Sequence, residues 1–254
     1  MTPASTNILK DLNNLRRAIP WLIGAVTYLI AGLTVSIFTT IRACQSHFID
    51  YCLLDSVIAT NHHFIFFFVI AIPCLVVIHC SINNEFFYQT ALRRASRRSI
   101  WKSNVFSLFI ISLTWTVLSL IIAVAITLPF VVSVNNWDAE TSYFFYSTGT
   151  VLTTSFVVVL LATLLGSWAA LFALGLAALT VYWWSGNVVL SALFALILSG
   201  IYQVFRFPPV LASYNNMLSP FEYALSFAFV AIASGMASIL LSRSNIVANR
   251  EFYE

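Results

Sequence analysis

The chain has 254 residues, of which 60% are hydrophobic and 8% are charged, with 12 basic residues against 9 acidic ones. A soluble domain carries about 25% charged residues, and a disordered chain needs low hydrophobicity, so both classes are excluded. The small net charge leaves no large basic surface, which excludes a typical nucleic-acid-binding protein. The composition therefore predicts an all-α, polytopic membrane protein.

The first predicted element is a short amphipathic helix over residues 5–18. Ile8, Leu12 and Leu15 recur at helical spacing among basic and amide side chains, and Pro20 marks the junction with the first apolar stretch. A basic amphipathic helix joined to a membrane span is typical of the membrane interface. A frayed polar tail is the alternative interpretation of the same residues.

Seven apolar stretches without Lys, Arg, Asp or Glu follow this helix. They cover residues 21–41, 64–82, 105–134, 143–165, 168–184, 188–205 and 223–242. Each approaches the length of about 20 residues that a helix needs to cross a bilayer core about 30 Å thick. The stretches are the candidate membrane spans.

The distribution of charge predicts which side of the membrane each connection faces. Ten of the 12 basic residues lie before the first stretch, between the second and third, or after the last. By the positive-inside rule, these segments and both termini are expected on the cytoplasmic side of the plasma membrane. Two cytoplasmic termini require an even number of crossings, so one of the seven stretches is expected not to cross.

The stretch 188–205 is the candidate for the one that does not cross. It is short, and it leads into Arg206, Pro208 and Pro209. Irregular backbone is tolerated at membrane depth when it is buried in protein or lines a cavity. Residues 187–221 are therefore predicted to form a re-entrant hairpin on the outer side, before the last of six transmembrane helices. Seven full spans with an outer C-terminus are the alternative.

The segment 85–99, between the second and third stretches, carries the densest positive charge. It contains no Gly or Pro, so nothing in it breaks a helix. Arg93, Arg94, Arg97 and Arg98 stand at i, i+1, i+4 and i+5, so they share one side of that helix. A short basic helix with apolar anchors suits docking into a groove of a partner protein. The alternative is that the arginines only fix the topology and touch lipid phosphates.

Other polar residues leave alternatives open. Cys44 and Cys52 lie in the first outer loop, where their spacing alone cannot establish a disulfide. Acids and imidazoles in or beside the same loop form either a metal site or an ordinary solvated surface; they are His47, Asp50, Asp55, His62 and His63. Arg206 and Glu222 flank the predicted hairpin, and they either pair with each other or contact a transported molecule.

The chain lacks charged residues inside its apolar stretches and lacks common catalytic motifs, and both absences limit the functions that we expect. The interiors of the apolar stretches hold no Asp, Glu, Lys or Arg, which disfavours coupling to protons or sodium ions. No zinc-protease motif, nucleophile elbow or phosphate-cradling glycine loop is present, so the chain is not expected to be an enzyme. Any energised work would draw its energy from another chain.

The layout resembles a small, six-span bacterial permease subunit of the ABC-2 type (type V) transporters. The shared features are a cytoplasmic amphipathic start, a helical loop between spans two and three, and a re-entrant hairpin before the last span. The loop carries Glu85, then Ser96-Arg97, then Trp101-Lys102 at the start of span three, and Leu218-Ser219-Pro220 precedes the last span. The family often places its Lys slightly later than Lys102.

The resemblance implies a single permease domain over residues 1–254 that works with a separate ATPase subunit. The segment 85–99 would be the coupling helix, docked on the ATPase through Glu85, Arg93, Arg94, Ser96, Arg97 and Arg98. ATP and Mg²⁺ would bind to the partner, and this chain would bind no cofactor. Two permeases, identical or related, would pair through spans one and five. The cargo would be a peptide, an antibiotic or another amphipathic molecule.

A second hypothesis needs neither a pathway nor an ATPase. The chain would then be a membrane scaffold or an accessory subunit of a larger complex that transports nothing itself. Both hypotheses include membrane lipid as a partner and exclude nucleic acid.

Overall fold

A computed structural model describes the backbone of residues 3–85, 97–205, 211–218 and 220–243, and the side chains of 19–80, 98–202, 211–218, 228–230 and 232–241. Within these ranges the fold is all-helical. The elements are α1 (Pro3–Ser46), α2 (Leu53–Ala59), a π-helical segment (Ile65–Ala71) that continues directly as α3 (Ile72–Glu85), α4 (Arg97–Thr127), α5 (Tyr143–Thr148), α6 (Phe156–Ser185), α7 (Val188–Phe205), α8 (Tyr214–Leu218) and α9 (Pro220–Arg243).

Three of these helices are long and apolar enough to cross a membrane, by length and composition. They contain Ile19–Ser46 of α1, Arg98–Thr127 of α4 and Phe156–Ser185 of α6. Shorter apolar helices cover Ile65–Cys80, Val188–Tyr202 and Ala228–Leu241. Large apolar side chains on the long helices, such as Val35, Phe106 and Leu161, are exposed. Lipid rather than water is the environment that such surfaces favour, which supports a membrane location.

The long helices of the described chain run alternately between two ends of one bundle. At the first end, Trp101 in the first turn of α4 meets Trp183 near the end of α6, with ring centroids 5.4 Å apart. The indole of Trp101 donates a hydrogen bond to the carbonyl of Ser238, near the end of α9. At the second end, the carboxylate of Asp55 in α2 accepts a hydrogen bond from the indole of Trp137, in the connection after α4. We name these the Trp101 end and the Asp55 end.

Ring contacts place the remaining helices in the same alternation. His79 of α3 meets Tyr182 of α6 at the Trp101 end, with centroids 5.7 Å apart. His63, just before the π-helical segment, meets Tyr202 of α7 at the Asp55 end, with centroids 5.8 Å apart. The segment Ile65–Glu85 and α6 therefore run toward the Trp101 end, whereas α4 and α7 run away from it.

The predicted stretches 143–165 and 168–184 do not form two helices. The chain breaks instead after α5, where Gly149 takes a left-handed conformation (φ 72°), and α6 then runs without interruption from Phe156 to Ser185. Gly166 and Ser167 lie inside α6 and are buried. These two small residues lie where α6 is buried, so packing against neighbouring helices offsets the low helix propensity of Gly and Ser.

The stretch 188–205 also differs from its prediction as part of an outer hairpin. It begins at the Trp101 end, where α6 stops at Gly186 (φ 69°). The side chain of Asn187 then accepts hydrogen bonds from the N–H groups of Val189 and Leu190, which start the next helix. Such a Gly stop and Asn cap form a tight turn between antiparallel helices. The helix α7 then runs back along α6 to the Asp55 end. Of the predicted hairpin 187–221, residues 206–210 and 219 lie outside the described residues.

The N-terminal segment is continuous with the first apolar stretch. Residues 5–18 belong to α1, and Pro20 lies inside this helix instead of ending it. A proline at that position removes one backbone hydrogen bond without stopping the helix. The helical prediction for 5–18 therefore holds, but the boundary at Pro20 was wrong.

The middle of the bundle is closed by tight packing of α1 on the π-helical segment. A Cβ atom on Gly32 would lie 2.5 Å from Cγ1 of Val69, so only glycine fits there. The N–H of Ile72 bonds to the carbonyl of Phe67, but Pro73 has no N–H for the next carbonyl, that of Phe68. The hydroxyl of Tyr28 in α1 donates to this carbonyl at 3.2 Å. A neighbouring helix thus supplies a donor where the backbone ladder is irregular, as a membrane interior requires.

Candidate functional sites at the two ends of the bundle

The residues at the two ends of the described gap in the predicted docking segment lie at the Trp101 end. Glu85 is the last residue of α3, and Arg97 is the first residue of α4. Both ends of the segment therefore leave the bundle at this one end. Arg93, Arg94 and Ser96 lie outside the described residues, and the predicted helix over 85–99 is not tested.

Basic side chains surround the start of α4. Arg98 and Lys102 are exposed there, and the first turn of α4 holds no acidic residue. The N-terminus of a helix carries a partial positive charge, so basic residues in the first turn weaken the helix slightly. Their presence is therefore not explained by the stability of α4.

Trp101 joins the start of α4 to the two helices that end beside it. Its side chain is 1% exposed, and its ring meets Trp183 edge to face, with planes at 83°. Its indole N–H donates to the carbonyl of Ser238 at 3.2 Å. A displacement of the first turn of α4 must therefore move α6 and α9 as well, because a buried aromatic side chain packed on two helices leaves no gap to absorb it.

An apolar groove of about 370 Å³ opens between α1 and α7 at the same end. It is lined by residues of α1, α3, α6 and α7, which include Trp21, Leu75, His79, Gly175, Tyr182 and Leu196. The hydroxyl of Ser191, which also lines it, donates to the carbonyl of Ala178 at 2.6 Å. The groove is large enough for a small ligand, since such sites are typically about 300–1,000 Å³. Its lining favours an apolar or amphipathic occupant.

The Asp55 end is closed by a small polar and aromatic cap. Asp55 is fully buried in α2, and one carboxylate oxygen accepts the backbone N–H of Cys52 at 2.8 Å. The other oxygen accepts the indole N–H of Trp137 at 2.9 Å, and the ring of Tyr214 in α8 meets that indole with centroids 5.9 Å apart. We define the cap as residues 50–61, 133–148 and 211–218.

Aromatic rings cover this carboxylate. Trp137 and Phe144 stack with centroids 4.5 Å apart, and Tyr214 meets the edge of both at 5.9 and 5.8 Å. Behind them the cap has its own apolar core, which includes Leu54 and Met217. The rings exclude water from Asp55, which strengthens each hydrogen bond to it.

Burial controls the acid–base behaviour of the cap. It raises the pKa of Asp55 from 3.8 to about 6, although hydrogen bonds from Cys52 and Trp137 act in the opposite direction. Burial, and after it the charge of Asp55, raises the pKa of the Cys52 thiol to about 12. The same two causes raise the pKa of Tyr51 well above its usual value.

The thiols and imidazoles of the first outer loop take separate positions. Cys44 and Cys52 are both buried free thiols, so the structure holds no disulfide between them. His47 and His62 are exposed, and Asp50 accepts a hydrogen bond from the hydroxyl of Thr141 at 2.7 Å. Among the residues whose structure is described, no three His, Cys, Asp or Glu side chains are close enough to share a metal ion.

The second predicted pair is not described in atomic detail. Arg206 lies outside the described residues, and Glu222 lies in α9 without a described side chain. Their pairing, or their contact with a transported molecule, stays a prediction.

Asp55 is the residue whose role the sequence interpretation missed. It was considered only as a loop acid near the histidines. The spacing Cys52-x-x-Asp55 carried a signal, because an acid three residues after a helix start reaches back to the first N–H in a capping box. The partners on the other two connections carried none, since Trp137 is 82 residues away along the chain.

No family model, curated protein or solved structure matches this chain. Its function is therefore inferred from its own residues.

Proposed function

We propose that this chain is the membrane-spanning permease subunit of an ATP-driven exporter of the ABC-2 type, coupled to a separate ATPase subunit. Six crossings are proposed for α1, the segment Ile65–Glu85, α4, α6, α7 and α9. The Trp101 end would face the cytoplasm, with both termini, and the Asp55 end would face outward. This orientation follows the positive-inside rule.

One observation carries the proposal. The segment between α3 and α4 leaves from and returns to the end of the bundle where Trp101 is packed on α6 and α9. A partner that pushes on this segment would therefore move three helices together. The basic side chains around it favour an acidic groove on that partner, because complementary charge directs association and orientation.

The apolar groove supports a transport role over a purely structural one. A scaffold needs no cavity, whereas the groove between α1 and α7 offers about 370 Å³ with an almost entirely apolar lining. Two copies of the chain that placed their grooves face to face would enclose a larger apolar pathway. Such a pathway suits a hydrophobic peptide, an antibiotic or another amphipathic cargo.

Co-expression with a candidate ATPase tests the proposal. Replacing Arg93, Arg94, Arg97 and Arg98 together with Ala should abolish co-purification with the ATPase and remove cargo-stimulated ATP hydrolysis. A matched variant with Lys at the same four positions keeps the charge that fixes topology and contacts lipid phosphates. It should insert normally but recover only part of the coupling, because Lys cannot form the paired, planar hydrogen bonds of Arg.

The two variants separate docking from topology. If the Ala variant is inserted in the membrane with wild-type orientation and still couples fully to the ATPase, the docking role is wrong. If no ATPase co-purifies with the wild-type chain, the scaffold hypothesis is favoured.

A further inference from the structure

One arginine lies on the side of the membrane where the charge pattern predicts few basic residues. Arg42 belongs to the last turns of α1, at the Asp55 end, which the positive-inside rule assigns to the exterior. Its side chain is exposed, and it forms no ion pair or hydrogen bond with a described residue. Arg42 therefore contributes neither to the proposed topology nor to an ion pair within the described chain.

Two aromatic rings hold the guanidinium in place. The Cζ atom of Arg42 lies 5.7 Å from the ring centroid of Phe38, one turn earlier in α1, within the distance at which a ring face attracts a cation. The ring of Phe38 in turn meets Phe130, in the connection after α4, edge to face with centroids 4.7 Å apart. The guanidinium is therefore oriented before a ligand binds, which reduces the entropy lost on binding.

An exposed apolar ridge begins at this aromatic pair. We define the ridge as three alternate residues of the irregular stretch after α4, Leu128, Phe130 and Val132, which are 59%, 44% and 107% exposed. The backbone that follows is fixed, because the carbonyl of Ser133 accepts a hydrogen bond from the N–H of Leu53 at 3.2 Å. An exposed apolar patch on a fixed backbone is typical of an interaction surface.

The position of Arg42 along α1 matches the level of lipid phosphates. Trp21 is exposed near the opposite end of the same helix, and exposed Trp side chains favour a membrane interface. The stretch from Trp21 to Arg42 is about 32 Å long at about 1.5 Å per residue, close to a hydrocarbon core about 30 Å thick. Phe38 lies one turn closer to the interior, so the ridge beside it lies at the margin of the core.

We propose that Arg42 and the ridge form a binding site for one phospholipid of the outer leaflet. The guanidinium donates paired hydrogen bonds to the lipid phosphate, a geometry for which Arg is suited. The glycerol and acyl chains of the same lipid cover the ridge. The combination favours a phospholipid over a soluble anion, because a soluble anion would leave the ridge uncovered.

The bound lipid holds α1 and the connection after α4 at one depth in the membrane, since Phe38 and Phe130 belong to these two elements. Only the assignment to the outer leaflet rests on the orientation proposed above. The contact between guanidinium and phosphate depends neither on that orientation nor on an ATPase.

Cysteine labelling in two lipids tests the site. The substitution Val132→Cys places a thiol on the ridge, at a fully exposed position where the fold should tolerate it. The purified full chain, one copy per nanodisc, is placed in phosphatidylglycerol or in a neutral diglycosyl diacylglycerol with the same acyl chains. A water-soluble maleimide is added, and peptide mass spectrometry follows each cysteine separately. Cys44 and Cys52 are buried and report unfolding.

The Val132→Cys variant should be labelled about fivefold more slowly in phosphatidylglycerol than in the neutral lipid, the effect expected for one Arg beside lipid phosphate. Adding Arg42→Gln should remove this difference, and Arg42→Lys should restore part of it, because Lys keeps the charge without the paired geometry. Gln45→Ala is the matched control, an exposed position of the same helix that should leave the difference intact. Glu140→Cys, at an exposed polar position of the same connection, should be labelled rapidly in both lipids.

Each outcome decides the proposal. A lipid difference that disappears with Arg42→Gln, while Cys44 and Cys52 stay unlabelled, supports it. Equal labelling of the Val132→Cys variant in both lipids overturns it, and so does a difference that persists with Arg42→Gln. Protection that inorganic phosphate provides in the neutral lipid would assign the site to a soluble anion, and protection that requires two chains per nanodisc would assign the ridge to a second copy. Co-purification with an ATPase is measured separately, so either proposal can fail without the other.

Discussion

The two ends of the bundle are closed by different interactions. At the Asp55 end, a buried carboxylate and several aromatic side chains join three connections of the same chain. At the Trp101 end, the helices meet through ring edges and one indole–carbonyl hydrogen bond, beside an open apolar groove. Directional polar bonds can be broken one group at a time, whereas apolar packing yields only when helices move together.

The Asp55 end is held by hydrogen bonds between its connections, and the Trp101 end has the properties of a joint that transmits displacement. Substitutions at each end, with effects of different size, test both assignments.

The largest effect is expected at the Trp101 joint. Trp101→Ala should lower the free energy of unfolding by about 3–5 kcal/mol, the range for removing a buried aromatic side chain from a packed site. Thermal unfolding of the purified protein measures this change. Trp184→Ala is the matched control, because Trp184 lies at the same end but is 70% exposed, and its replacement should change stability by less than about 0.5 kcal/mol. Equal losses in both variants would contradict the joint.

The next effect lies midway between the two ends. Gly32→Ala should destabilise the bundle by about 1–3 kcal/mol, because the new Cβ overlaps the stiff, β-branched side chain of Val69. Gly24→Ala, in the same helix, meets no atom within 4 Å and should be neutral or slightly stabilising. Comparison of the two melting temperatures checks the prediction. A neutral Gly32→Ala variant would mean that α1 and the π-helical segment are less tightly packed.

The general layout could be predicted from the sequence because it depends on composition and charge. Apolar stretches without charge predict helices, and the described part of the chain is all-helical. The placement of both termini on the cytoplasmic side stays a prediction. The assignment of stretches to helices failed at Gly166, which lies between the predicted stretches 143–165 and 168–184 but inside α6. Whether it breaks a helix depends on tertiary packing, and here Ser167 donates to Asn61 of another element.

The candidate sites divide in the same way. A cluster of arginines is visible in the sequence, because its members are neighbours. The cluster of Asp55, Trp137 and Tyr214 is not visible, because its members stand on separate connections and only folding brings them together. The groove likewise needs four helices to form, and no local pattern in α1 or α7 indicates it.

A dependence on pH is expected at the Asp55 end. The folded chain raises the pKa of Asp55 from 3.8 to about 6, so the folded state favours the protonated carboxyl more than the unfolded state does. The resulting stabilisation is complete below pH 3.8 and is lost as the pH rises through 6. Between pH 7.5 and pH 5, the free energy of unfolding of the wild-type chain should therefore rise by about 1.4 kcal/mol relative to that of the Asp55→Asn variant, as measured by denaturation at the two pH values.

The control for this prediction is the chain without the titrating group. The other titratable groups that face Asp55 are thiols and phenols, which stay protonated in this range; they are Cys44, Cys52, Tyr51, Tyr143 and Tyr214. The comparison with Asp55→Asn removes the contributions of all groups that the two proteins share. An equal change in both proteins would assign the titration to another group.

The smallest effect compares one unpartnered polar side chain from each end. Thr163 near the Asp55 end has a buried hydroxyl without a partner, and the amide of Asn104, three residues after Trp101, has no partner for either polar atom. Thr163→Val and Asn104→Leu each remove an unsatisfied group from the folded state. Both should raise the free energy of unfolding by about 1 kcal/mol.

Denaturation of the purified variants measures both changes. Each substitution removes a polar group that the fold buries without a partner, and such a group is unfavourable in the folded state. An unchanged free energy of unfolding in either variant would mean that water reaches that group in the folded protein.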